Sequence, residues 1–340
     1  MIKFIKRIFL AFTLLIIITA IGIYLFVPID KIAKDRLEDI LGRDFSIGRA
    51  NVAFAHLEIN DLTYKDSEHK IQDVIKIKDI KVYPSLLLLL TGRVVIKNIE
   101  IDSPYLLLRR FNDNKWSVSK LFGGSGSAPI ILKGIEIKNG TLDIWDDKAG
   151  KMPFKTAIDG LKINIYNPIA ILGHGTVIDI SGRLKQGGIS IKGDWDPLTY
   201  KLAADAKANA IDMTIANPYL ADEGGVIITS GSLDLSSKIK FENNIVNAPV
   251  DAVVKELKMK SAEGVLLDIS VPLVISLIEK QGKFDLRFNI YGHLNNIQTN
   301  LKDALKKKAE DSLEKKIESP LKKLGRDLKD IGKGIMDVFR

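Results

Sequence analysis

The chain has 340 residues, no cysteine, 50 Lys and Arg against 42 Asp and Glu, and a formal net charge of +8. The missing cysteines exclude thiolate catalysis, cysteine-ligated zinc and disulfide staples together, so stability must come from burial and hydrogen bonds, for which this length suffices. On a chain whose first residues read as an export signal, the positive balance points to anionic lipid or lipopolysaccharide rather than to nucleic acid.

Ile8 to Val27 is a run of twenty residues without a charge. As a helix it is about 30 Å long, the thickness of a bilayer's hydrocarbon core. Lys3, Lys6 and Arg7 precede it with no acidic residue among them, and Asp30, Lys31, Asp35, Arg36, Glu38 and Asp39 follow in mixed sign. The positive-inside rule keeps Met1 in the cytoplasm and exports everything beyond Val27. A cleaved signal peptide is the competing reading, because Ala20-Ile21-Gly22 resembles a small-x-small cleavage site. Ile23-Tyr24-Leu25-Phe26-Val27 carries the apolar run past that site, which favours an anchor over residues 1–28.

Residues 29–122 read as a short helix followed by a first β block. Ile32, Leu37, Ile40 and Leu41 recur at helical spacing over Ile29 to Leu41, with Gly42 placed to cap. From Phe45 the period becomes 2. Ser85 to Leu90 holds five consecutive leucines, too short a run to span a membrane, and reads as buried core or as a segment that dips into one. Residues 123–128 are Gly/Ser-rich and read as a flexible linker.

Residues 129–297 read as the main β body. Ile163 and Ile165 alternate with Lys162 and Asn164, and Ile189 and Ile191 with Ser190 and Lys192. Leu233, Leu235, Ile239 and Phe241 share one face of a strand, with Asp234, Ser236, Lys238, Lys240 and Glu242 on the other. Phe284, Leu286, Phe288 and Ile290 oppose Asp285, Arg287 and Asn289 in the same way. Such alternation is the mark of antiparallel strands with one apolar and one wet face. Asn139-Gly140 lies between two alternating segments, Ile135–Lys138 and Thr141–Trp145, and predicts a hairpin.

Residues 298–340 return to a helical period. Leu301, Leu305, Ala309, Leu313 and Ile317 step by four. Ser319-Pro320 then fits an N-cap with proline at the first helical position. Leu321, Leu324, Leu328, Ile331, Ile335 and Val338 form a second stripe. Gly325, Gly332 and Gly334 each weaken that helix by about 1 kcal/mol. Twelve Lys/Arg and eight Asp/Glu between Lys302 and Arg340 make the segment basic. It reads as an amphipathic helix for a membrane surface, or as one that packs on the body or a partner.

The residues offer little chemistry. His56, His69, His174 and His293 lie in separate segments without ligand spacing. Asp146-Asp147-Lys148-Ala149-Gly150 reads as a turn. No Gly-x-Ser-x-Gly, phosphate loop or His-Glu-x-x-His occurs. We therefore expect no catalytic residue, metal or cofactor.

One resemblance is carried by Val94 to Arg110, with Asp113, Lys115 and Trp116 after it, and with the leucine-rich stretch Ser85 to Gly92 before it. This order of leucine-rich segment, strand, proline, strand and aspartate-bearing turn resembles the N-terminal signature of AsmA-like proteins. Gly134 to Leu142 resembles the family's next block. Gln281 to Leu294 with the helix beyond resembles the ending of its uncharacterised-domain branch. The resemblance covers essentially the whole chain. It implies a repeating antiparallel β-groove, a half-tube with an apolar inner face, related to bridge-like lipid transfer proteins. It further implies a single-pass protein of the bacterial inner membrane with its bulk in the periplasm. The function so implied is phospholipid transfer or envelope homeostasis, with acyl chains, the bilayer and other envelope proteins as partners. Leu233, Leu235, Ile239, Phe241, Phe284, Leu286, Phe288 and Ile290 are the groove candidates, and the stripe from Leu321 to Val338 is the membrane-surface candidate. Fifteen to seventeen strands at about 4.8 Å each would make a groove about 75 Å long. The rival from a different class is a non-transporting envelope scaffold with a closed β-sandwich body.

The charge pattern around the anchor sets a topology. A periplasm-only reporter fused after Arg340 is expected to be active. Activity of a cytoplasm-only reporter at the same position, or recovery of a soluble mature chain lacking residues 1–22, would contradict it.

Overall fold

A computed structural model describes residues 29–311, apart from 43, 54–55, 86–87, 89–94, 120–130, 151–152, 168–174, 197–198, 221–225, 261–264, 267–268, 271–281, 294–295 and 309. The anchor run, the Gly/Ser linker, most of the leucine run and the second tail stripe lie outside the described residues. Among those described, no helix is long and apolar enough to cross a membrane.

The protein is mainly β. Helix α1 (Ile29–Leu41) leads into β1 (Phe45–Val52), β2 (Leu57–Asp66), β3 (Ile71–Pro84), β4 (Val95–Asp102), β5 (Tyr105–Arg110), β6 (Ile131–Leu132), β7 (Gly134–Asp146), β8 (Phe154–Tyr166), β9 (Thr176–Leu184), β10 (Gly187–Asp196) and β11 (Lys201–Asp212). A 3-10 turn and a short α2 (Asn217–Leu220) precede β12 (Ile227–Glu242), β13 (Ile245–Lys260), β14 (Val265–Leu266), β15 (Ile269–Ser270), β16 (Lys283–His293) and β17 (Asn296–Thr299). A final helix, α3, begins at 301 and is described to 311. Fifteen strands form one sheet in the order β1-β2-β3-β4-β7-β8-β9-β10-β11-β12-β13-β16-β17, with β5 and β6 beside this path. The two-stranded β14–β15 pair stands apart.

Two expectations need correction. The sheet is not antiparallel throughout, because β7 runs parallel to both β4 and β5. After β5 the chain returns to the start of β4, where Val95 pairs with Ile131 in parallel. The next strand must then run in the same direction. Nor is Asn139-Gly140 a hairpin. β7 passes through it unbroken, with Asn139 at φ 54° and register shifts against β8 on both sides of Gly140. Asn-Gly supplies the left-handed backbone that a tight turn and a β-bulge both need. The bulge prevails because both halves of β7 already have partners: Ile135 and Ile137 beside β4, Leu142 and Ile144 beside β5. Ser103, at φ 49°, makes the matching kink between β4 and β5. A Cβ on Gly140 would lie 3.3 Å from Pro104 Cγ, so this close crossing holds a glycine.

Such kinks recur across the sheet. Asp61, Ser103, Asn139, Gly160, Ala210 and Glu256 all have positive φ, in β2, between β4 and β5, and in β7, β8, β11 and β13. Where such a kink inserts one residue, the apolar phase moves by one. In β2 the buried positions step from Ile59 to Leu62, and both join one cluster with Ile47 and Ile80. In β13 the apolar positions step from buried Val254 to partly buried Leu257, again within one cluster. Bulges bend a strand and tighten its twist. A line of them therefore creases the sheet while its apolar side chains stay on one face.

The two ends of the sheet carry helices. Glu38 accepts the Ile47 N–H at 3.1 Å, Asp30 accepts the Val52 N–H at 2.9 Å, and Lys34 donates to Gly48 O at 3.3 Å, so α1 occupies the free edge of β1. Leu37 packs on the Ile47 cluster, and Gly42, at φ 94°, closes α1 with its N–H on Glu38 O. At the other end Leu301 and Leu305, the first two positions of the predicted stripe, pack with Ala304 on Ala252, Val254, Phe284 and Leu286. The sequence blocks before and after the linker share this one sheet.

The bulge at Ala210 has its own clamp. Asp234 Oδ1 accepts the Ala210 N–H at 2.7 Å and Oδ2 takes Lys255 Nζ at 2.5 Å. These two contacts, the backbone N–H first, hold the Asp234 carboxyl below the usual carboxylate range. Its stabilising effect is thus complete above the ordinary carboxylate pKa of about 4 and fades as pH falls through the depressed value. Asp234→Ala should cost about 1–2 kcal/mol at pH 7, and the gap to the parent chain should close in acid below that range. Denaturant melts of both chains across that pH range measure it; equal stability at pH 7 would contradict it.

Candidate functional site

The cross-strand register assembles a feature that no single strand contains. One row runs Ala50, Ile59, Ile80, Ile101, Ile137, Ile163, Ile180, Ile191, Ala206, Ser237, Val250 and Phe288, each the register partner of the next. A second row beside it runs Val52, Leu57, Val82, Ile99, Ile135, Ile165, Ile178, Gly193, Ala204 and Ile239, and resumes with the Ala248–Ile290 pair. Register partners sit on the same face, so the two rows make one apolar strip from β1 to β16. Ser237 is the sole hydroxyl-bearing member of the two rows, and its Oγ has no hydrogen-bond partner.

The intervening residues point the other way and, Asn164 apart, are charged. Glu58, Lys81, Glu100, Glu136, Asn164, Asp179, Lys192, Asp205 and Lys238 form a third register row. Lys192 and Asp179 pair within it at 2.9 Å. Exposed ion pairs of this kind add little stability. Their physical effect is to keep that face in water.

Cover differs along the strip. Ala50, Ile59 and Ile80 are buried at the α1 end, and Val250, Phe284 and Leu286 at the α3 end. Between them Ile137, Ile163, Ile180 and Ile191 are half-buried. Among the described residues, β8, β9 and β10 make extensive contact only with neighbouring strands of their own sheet. The floor also changes depth. Isoleucines line β3 to β9, whereas Gly193, Ala204, Ala206 and Ser237 thin the strip over β10 to β12. A shallow hollow of about 470 Å³ lies over β9 to β12, and most of its lining, including Asp179, Lys192, Asp194, Asp205, Lys238 and Lys240, belongs to the charged face.

The eight groove candidates fall on this one face. Leu233, Val254 and Phe284 pair in turn, as do Leu235, Ala252 and Leu286. Leu233, Leu235, Phe284, Leu286 and Phe288 belong to the cluster under α3. Ile239 and Ile290 lie in the second row. Phe241 pairs with Leu202 and Val246 nearer the strand ends. The candidates therefore mark the covered end of the strip. The half-buried middle, from Ile137 to Ile191, was missed as a site. Its signal is the Ile-x-Ile spacing that recurs in β4, β7, β8, β9 and β10. The tail candidates Leu321, Leu324, Leu328, Ile331, Ile335 and Val338 lie outside the described residues.

The polar clusters act as fasteners. Arg109 and Arg110 of β5 reach Asp147 and Asp146 at 2.9 and 2.7 Å, tying its end to that of β7. Asp146 Oδ1 also accepts the Lys148 N–H and so makes the predicted turn. His69 lies 2.6 Å from buried Asp66 and stacks on Phe111 at 3.7 Å. The Tyr105 hydroxyl donates to Asp143, and burial together with that bond pushes its pKa up to about 12. It stays protonated near neutrality. Among the described residues no group of three His, Asp or Glu side chains could hold a metal ion.

The thin floor depends on close strands. A Cβ on Gly193 would lie 2.5 Å from Ala203 O and 2.6 Å from Ala204 Cβ, whereas one on Gly188 of the same strand meets nothing within 4 Å. Gly193→Val should therefore destabilise by more than about 2 kcal/mol, and Gly188→Ala should be neutral or stabilising by a few tenths. Thermal melts of the two variants compare them directly, and a Gly193→Val chain as stable as the parent would contradict the close packing. Comparison with protein-family models, with curated proteins and with solved structures found no match in any of the three.

Proposed function

We propose that the protein is a membrane-tethered carrier of phospholipid acyl chains, working in the bacterial periplasm as an AsmA-like protein of the inner membrane. The observation that carries this reading is the apolar strip, continuous over twelve strands and half-exposed through its middle. An exposed apolar surface of this extent is unusual unless it receives something apolar. Each methylene of an acyl chain that enters it gains about 0.8 kcal/mol. The isoleucine rows offer no hydrogen bonds that would fix the chain at one place, so movement along the strip meets small barriers. The head group stays at the water-facing opening. No cofactor takes part, and no residue is assigned a catalytic role.

The span of the strip limits what one copy does. β5 continues the line of β4, β6 sits beside it, and β14 and β15 lie outside the sheet, so seventeen strands supply thirteen positions. At about 4.8 Å per step the sheet is about 60 Å across, shorter than the sequence count suggested. One copy extracts and hands over lipid rather than spanning two membranes.

Ile180 and Ile191 adjoin in the half-buried middle, which makes them better probes than Leu235 under α3. The full chain purified in mild detergent should retain phospholipid. An Ile180→Asp, Ile191→Asp double variant should lose most of that load while keeping its circular dichroism spectrum. Mass spectrometry of extracted lipid measures the first and spectroscopy the second. A lipid-free parent chain whose variant unfolds would instead favour the sealed scaffold, where a buried unpaired carboxylate costs several kcal/mol.

A further inference from the structure

The strands end at two long rims, and the rims differ. One gathers the end of β1 and the turns β3–β4, β8–β9, β10–β11, β12–β13 and β16–β17. Asp30, three residues beyond the apolar run, bonds Val52 at this rim. Tyr166, Tyr200, Ile245 and Tyr291 all lie along it and are 56, 65, 45 and 40 % exposed. By strand alternation Tyr166, Ile245 and Tyr291 sit on the otherwise charged outer face. Apolar side chains thus reach this rim on both faces, beside one ion pair between Lys201 and Glu242 at 2.6 Å.

The opposite rim is built from ions. Glu68–Lys115, Arg109–Asp147, Arg110–Asp146 and Lys185–Asp212 all lie there. Trp116, Tyr219 and Ile227 are exposed along it, but the Tyr219 hydroxyl is bonded to Asp146.

We propose that the tyrosine-bearing rim rests along the bilayer surface, so that the sheet is mounted side-on with its strands pointing at the membrane. Tyrosine rings suit the interface, where the ring meets acyl chains and the hydroxyl meets water. The occupant is lipid because the chain joins its apolar run at this same rim. The second apolar row, from Val52 to Ile290, then runs parallel to the membrane plane and nearest to it. Lipid enters sideways along the rim rather than only at one end. This inference rests on the tethered reading.

The absence of native cysteine allows single labels. Tyr166→Cys, Tyr200→Cys and Tyr291→Cys report on one rim, and Lys148→Cys and Lys258→Cys on the other. All five side chains are exposed, so the core is untouched. Each full-length variant carries an environment-sensitive fluorophore and is reconstituted into phosphatidylethanolamine–phosphatidylglycerol vesicles containing nitroxide-bearing lipid. Tyrosine-rim labels should be quenched by that lipid about threefold or more above the others and be shielded from aqueous iodide. Equal iodide access at both rims, in protein that floats with the vesicles, overturns the side-on arrangement. Protein that fails to float overturns the tether itself, and the arrangement with it.

Discussion

Everything in this protein depends on register. A strand's side chains alternate with a period of two, so a slip of one residue in one pair would put Ile163 among lysines and Lys162 among isoleucines. The pairing holds Ile beside Ile across four adjacent strands from β7 to β10. The bulges in β2, β7, β8, β11 and β13 are where the phase changes, while β9 and β10 pair in unbroken register between them.

The helices act where the register runs out. α1 supplies hydrogen-bond partners to β1 and a leucine to its cluster. α3 places Leu305 on the last apolar residues of β13 and β16. Neither covers the middle, and burial falls there as a result. The body is held together by long backbone ladders and by two local cores at its ends, with a third around Tyr64, Val74 and Val118.

The parts legible in the sequence were those whose signals are local. The alternation in β12 and β16, helix α1 with its glycine stop and the Asp146 turn all depend on residues a few positions apart. The parts that were not legible depend on partners. Asn139-Gly140 presents the same residues for a hairpin as for a bulge, and only β5, thirty residues upstream, decides between them. The parallel placement of β7 follows from where the chain returns after Arg110, which no periodicity records. The continuous strip needed eleven registers at once. For that reason the candidates came from the two strands with the cleanest alternation and landed under α3, while the plainer Ile-x-Ile strands formed the open middle.

The cap on β1 reaches beyond the single chain. Glu38, Asp30 and Lys34 take up hydrogen-bonding groups that a visiting strand would need, so the sheet cannot be lengthened from that side. Growth of a fibre by strand addition requires two free edges, each new copy presenting the edge the next one uses. A chain with one edge closed can pair through the other, but two such copies turn their closed edges outward and stop. The helix that caps β1 is thus also what lets a long sheet with one apolar face stay out of an endless polymer.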